Sequence, residues 1–196
     1  MRAIYLILCV SVLTGLSSCG GGNSDEPIIE YDDIDEGLDN YEAFSLAPYG
    51  IPALIYLPDA TANIGAATSP EILHDMDDYK WTINVGQNFS LNIEDWGGTD
   101  AFSERVKELE NQKIYKVEFL KKEDNFVYYK TILNVNGVKG RDEVGVDHES
   151  FYVMSQHKID GINYLFITTE DGHPKPITDY MEKTVKFVKP LTEKPV

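Results

Sequence analysis

Cysteine is nearly missing from this chain. Cys9 and Cys19 are the only two in 196 residues, which excludes a disulfide-rich scaffold and a cysteine-based zinc cluster. Basic side chains are also scarce. Lys+Arg number 17 against 33 Asp+Glu, a formal net charge of −16. Such a chain repels phosphate backbones and anionic bilayers, so no nucleic acid is expected as a partner, nor any membrane held by charge alone. No apolar run after residue 20 is long enough to span a bilayer, and the body is expected to be soluble. The four histidines (74, 148, 157, 173) form neither H-E-x-x-H nor H-x-H. There is no G-x-S-x-G elbow and no P-loop. No catalytic residue, metal ligand or cofactor is therefore assigned.

The N-terminus reads MRAIYLILCVSVLTGLSSC. Arg2 is followed by an apolar run over 3–13 with Ser11 the one exception. That length suits a signal-peptide core and is too short for a spanning helix. No A-x-A cleavage site follows. Leu16-Ser17-Ser18-Cys19 stands there instead, and it resembles the lipobox of bacterial lipoprotein precursors. The resemblance implies that residues 1–18 are removed, with Cys9 among them, and that Cys19 is lipidated. Two or more acyl chains hold a protein stably on a bilayer where one does not. Gly20 after the cysteine implies outer-membrane sorting by the same family rule, on either the periplasmic face or the cell surface.

Residues 20–26, GGGNSDE, read as a flexible linker. Residues 25–42 hold nine acids and no Lys or Arg, so self-repulsion favours an extended tether over 19–43. Asp33-Ile34-Asp35-Glu36-Gly37 puts glycine at the fifth position, not the sixth, so it is not a calcium loop. The globular body is expected over 44–196 as one domain.

Strand signals dominate that body. The segments 53–57, 80–85, 88–94, 115–119, 126–135, 151–159 and 162–169 are apolar, alternating or β-branched. Asn136-Gly137 and Asp160-Gly161 are type I′ hairpin signals. Thr99 or Asp100 caps a predicted helix over 101–112. A second helix follows Pro176, with acids early and lysines late, and Pro190 stops it. Segment 58–79 reads as a long polar loop, or as a short helix on Ile72, Leu73 and Met76 started by Ser69-Pro70. The pattern is α+β: a twisted, mainly antiparallel sheet packed by two or three helices. The entry Tyr49-Gly50-Ile51-Pro52, the strand pair over 81–94, the helix after Asp100 and the terminal helix resemble the PsbP-like α-β-α sandwich. That resemblance implies a fold and an accessory role, not a catalytic activity.

Chemistry is thinly signalled. Ser150 follows Asp147-His148-Glu149, but neighbours along a strand point to opposite faces, so adjacency builds no triad. His74-Asp75-Met76-Asp77-Asp78 reads as a polar loop more than a cation site. Gly137-Val138-Lys139-Gly140 reads as a hairpin tip. Aromatic residues are the remaining feature. Phe126, Tyr128, Tyr129, Phe151, Tyr152, Tyr164 and Phe166 cluster in the C-terminal strands, and alternation lets only about half of them face the helices. The others, with Trp81 and Trp96, are candidates for a binding face, foremost Tyr128, Tyr152 and Tyr164, and the alternative is a second buried face under 58–79. The expectation is a non-enzymatic, lipid-anchored envelope protein binding a partner protein or a peptide- or glycan-like ligand. The alternative is an acid-based hydrolase of envelope or extracellular polymers.

Overall fold

Period-two alternation does most of the work. Phe89, Leu91 and Ile93 are all buried on one strand, and Trp81, Ile83 and Val85 are buried on its neighbour. The computed structural model describes residues 37–65, 69–136 and 145–191. The elements run β1 (Tyr41–Ser45), β2 (Ala53–Pro58), β3 (Glu71–Asp75), β4 (Lys80–Val85) and β5 (Phe89–Asp95). Then come α1 (Ala101–Glu110), β6 (Lys116–Lys122), β7 (Phe126–Asn136), β8 (Gly145–Ile159), β9 (Ile162–Thr168), α2 (Lys175–Lys186) and β10 (Lys189–Pro190). The fold is α+β, as expected. A seven-stranded antiparallel sheet has the order β3-β4-β5-β9-β8-β7-β6. A second, three-stranded sheet, β1-β2-β10, was not anticipated.

The two faces of the large sheet are covered differently. On the first face, Phe126, Tyr128, Val153, Tyr164 and Phe166 join Met181 and Val185 of α2 and Ile55 and Leu57 of β2 in the main core. On the second face, Val127, Tyr129, Met154 and Leu165 pack on Ala101, Phe102 and Val106 of α1. Both helices are one-sided because their apolar residues recur every three or four positions. Asp100 caps α1, its carboxylate accepting from the Ser103 amide at 3.0 Å. Among the described residues no buried side-chain nitrogen or oxygen lacks a partner. None of the described helices is long and apolar enough to cross a membrane.

Several expectations are corrected. The segment 71–75 is neither loop nor helix but edge strand β3, paired with β4 from Glu71↔Asn84 to Asp75↔Lys80. The Asp75 carboxylate accepts from the Asp77 and Asp78 amides and shapes the turn, and His74 stacks on Trp81 at 4.5 Å. Backbone pairing with β4 outweighs the cap-then-proline signal of Ser69-Pro70. At the other end, β1 starts at Tyr41 and Leu38 is buried, so ordered structure reaches back into the segment read as tether. Asp160-Gly161 turns as expected, with both φ angles positive (49° and 86°). Asn136, by contrast, is a strand residue paired with Gly145. The register therefore excludes a two-residue turn at Asn136-Gly137. Gly137-Val138-Lys139-Gly140, the lipobox and Cys19 lie outside the described residues.

Two half-buried histidines predict an acid-sensitive fold. The Nε2 of His157 lies 2.7 Å from the Val185 carbonyl and 3.1 Å from the Ser155 hydroxyl. Burial lowers the pKa of His157, and burial likewise lowers that of His173. The unfolded chain, with histidine near 6.5, takes up protons before the folded one does. The stability these two histidines contribute is thus fully present above about pH 6.5 and is lost as pH falls toward the lower folded values. Urea midpoints measured from pH 7.5 down to 5 should decline, and His157→Gln should flatten part of that decline. A midpoint that holds or rises over this range contradicts the assignment.

Candidate functional site

The second face is only partly covered. Helix α1 is ten residues long, about 15 Å. Beyond its C-terminal end the sheet surface is open, and a groove of about 580 Å³ lies there. Its floor comes from alternate residues of two neighbouring strands. These are Tyr129, Thr131 and Leu133 of β7, and His148, Ser150, Tyr152 and Met154 of β8. The register sets them side by side, with Tyr129 opposite Tyr152 and Thr131 opposite Ser150. Arg105 and Glu108 of α1 form one wall, with Gln112 and Tyr115 from the segment after the helix beside them. Thr169, Glu170 and Asp171, in the turn leaving β9, form the other.

The tyrosines are its centre. Tyr129 and Tyr152 stack with centroids 5.0 Å apart and planes 9° apart. Phe119 backs Tyr129 at 6.1 Å. Burial raises the pKa of Tyr129, and the neighbouring Tyr152 and Tyr115 raise it further while Arg105 opposes them. Tyr129 is thus a neutral phenol at every physiological pH. The Tyr152 hydroxyl donates to the Glu170 carbonyl at 3.3 Å, which ties the floor to the outer wall.

Charge in the groove is unevenly matched. Among the described residues, Arg105 is the one Lys/Arg side chain that lines it, and it pairs with Glu108 at 3.6 Å. Among the described residues, Glu170 and Asp171 form no ion pair. Ser150 and His148 share a face of β8, yet among the described residues no hydrogen bond joins them, so the groove shows no prepared nucleophile. The carboxyl groups held below their usual range are Asp59, Asp100 and Glu118. The main cause in each case is a side-chain hydrogen bond, from Thr61, Ser103 and Lys116 respectively. None of the three lines the groove.

Of the aromatic residues clustered in the sequence, Tyr129 and Tyr152 reach this site. Trp81, Tyr128 and Tyr164 are 6%, 2% and 3% exposed and belong to the core of the opposite face. They are corrected to structural residues. Trp81 donates its indole N–H to the Tyr49 carbonyl (3.1 Å), and Tyr128 donates its hydroxyl to Asp179 (2.7 Å). Trp96 packs against the α1 cluster and donates to Glu94 at 3.0 Å. Cover from 58–79 comes from Ala62, Ile64 and the half-buried Ile72, with α2 and β2 supplying most of the rest. Tyr129 stood in the aromatic cluster read from the sequence, whereas Tyr115, Arg105, Glu170 and Asp171 carry no such signal. The i, i+2 series 129/131/133 and 148/150/152 was the signal that could have found the floor. Among the described residues no group of three or more His, Cys, Asp or Glu could hold a metal ion. The chain matches no protein-family model, and no curated protein matches it.

Proposed function

We propose that this chain is a lipid-anchored envelope protein whose body is a binding module, and that its ligand sits in the tyrosine-floored groove beyond α1. The observation that carries the reading is the stacked Tyr129–Tyr152 pair in the floor of an open groove of about 580 Å³. That volume lies within the range of ligand sites. Aromatic rings give large contact area at low entropy cost. The lipobox Leu16-Ser17-Ser18-Cys19 supports the anchor, and an outer-membrane position follows from Gly20 by the lipoprotein sorting rule.

One experiment covers both halves. Cells expressing the wild type and Cys19→Ser are fractionated, and the chain from each is titrated with extended peptides and with oligosaccharides while hydrogen exchange is followed. The wild type should partition with membranes and Cys19→Ser should not. Ligand-induced protection should centre on the segments carrying Tyr129 and Tyr152 in both. Membrane retention of Cys19→Ser removes the lipid anchor from the reading. Release of cleaved polymer by the groove would replace binding with hydrolysis.

A further inference from the structure

Beside the groove, β8 has an unpaired edge. Strand β8 starts at Gly145, and its pairing with β7 is continuous from Gly145 to Ser155. Its pairing with β9 begins only at Met154. Beyond that, β9 ends at Thr168, the chain turns through 169–172, and a single bridge joins Phe151 to His173. In that bridge the Phe151 amide donates to the His173 carbonyl, and the His173 amide donates back, both at 3.0 Å. Phe151 therefore directs its backbone polar groups away from β7. Alternation directs those of Glu149 and Asp147 the same way. Among the described residues no strand pairs with 145–150 on that side.

An unpaired edge is a template for another strand. A strand added there would continue the line of β9, and alternate side chains of it would lie over the face that carries His148, Ser150 and Tyr152. That face is the groove. The side chains met there include Tyr152 and Tyr115 together with Glu170 and Asp171, carboxylates with no ion pair among the described residues, while Arg105 is paired with Glu108. An aromatic face beside uncompensated carboxylates favours a cation. Acidic segments are repelled by the groove and by a chain of net charge −16. The chain's own acidic stretch 25–42 has the wrong sign for the same reason.

We propose that the groove and the β8 edge together form one docking site for an extended, basic segment of a partner protein, which adds a strand at 145–150 and places Lys or Arg side chains over the tyrosine floor. This rests on the groove being the binding site. Main-chain hydrogen bonds would give affinity, and the side chains in the groove would give specificity.

The test uses the full-length chain in a neutral detergent micelle. Fluorescently labelled octapeptides of alternating Lys and Thr, or Glu and Thr, are titrated by anisotropy, alongside an N-acetylglucosamine tetramer. The Lys-Thr peptide should bind and the Glu-Thr peptide should not. N-methylation of one alternate set of peptide amides should weaken binding about tenfold, while methylation of the other set leaves it. The double variant Glu170→Gln/Asp171→Asn, with circular dichroism unchanged, should weaken it about fivefold and reduce its salt dependence. Hydrogen exchange should slow at 145–151. Binding indifferent to charge or to methylation set overturns the proposal. Binding of the sugar alone, with protection at Tyr129 and Tyr152, overturns it while leaving the groove as the binding site. No binding of any probe at the groove overturns both.

Discussion

Phe166→Ala should bring the protein close to its unfolding threshold. Phe166 lies on β9, an inner strand of the seven-stranded sheet. It pairs with Ile93 on one side and Ser155 on the other. Its side chain is fully buried, and the His157 ring meets it edge-on at 5.4 Å and 89°. Met181 and Val185 of α2 belong to the same cluster. Truncation removes the buried ring and leaves a cavity that the β5–β9–β8 ladder holds open, a loss of about 3–5 kcal/mol. Domains of this size have about 5–15 kcal/mol in all. A fall in the urea midpoint at unchanged slope is the expected signature. Ile114→Ala is the control: Ile114 is 80% exposed, and its loss should stay within about 0.5 kcal/mol. Equal effects from the two substitutions would remove Phe166 from the core.

That core was legible because its residues alternate cleanly. Phe89, Leu91 and Ile93 pointed one way on the page and point one way in the fold. The helices declared themselves through caps and one-sided stripes, and Asp100 is the observed cap of α1. Elements exposed on both faces left no such trace. Strand β3 reads Glu71-Ile72-Leu73-His74-Asp75 and is largely exposed, so nothing in its own sequence distinguishes it from a loop. The first three residues of strand β1 include Glu42 and follow a run of acids, so they read as tether, and the sequence places the start of the body three residues late. The site was hidden differently. Alternation showed that only half of the aromatic residues could share a face, but which half is covered depends on where the ten-residue α1 ends on the sheet. Tyr128 and Tyr129 are adjacent, equally aromatic and on opposite faces. One is tied to Asp179 of α2 and the other stacks on Tyr152 in the groove. Only the placement of the two helices separates them.

Gly172→Ala should damage the groove more than any change to its charged rim. Gly172 has φ +66°, where a side chain is strained at about 1–3 kcal/mol. Its larger problem is steric. An added Cβ would come within 2.5 Å of the Tyr152 Cζ and 2.8 Å of its Cε1 and hydroxyl oxygen. The ring cannot yield freely, since Tyr129 stacks against it at 5.0 Å. The 169–172 turn must therefore move, and Thr169, Glu170 and Asp171 move with it as the outer wall. Gly161→Ala separates the two costs. Gly161 has φ +86° with nothing within 4 Å of the added atom, so it carries the backbone strain alone. Gly172→Ala should unfold at lower urea than Gly161→Ala and lose groove affinity at least tenfold, where Gly161→Ala keeps it. Removing the obstacle should restore part of the loss. In a cycle of Gly172→Ala with Tyr152→Ala, the double variant should be more stable than the sum of the singles by about 0.5–3 kcal/mol, the range seen for residues in contact. Additive losses would mean that Gly172 and Tyr152 do not touch, and the outer wall of the groove would then be held by the Tyr152–Glu170 hydrogen bond and the Phe151–His173 bridge.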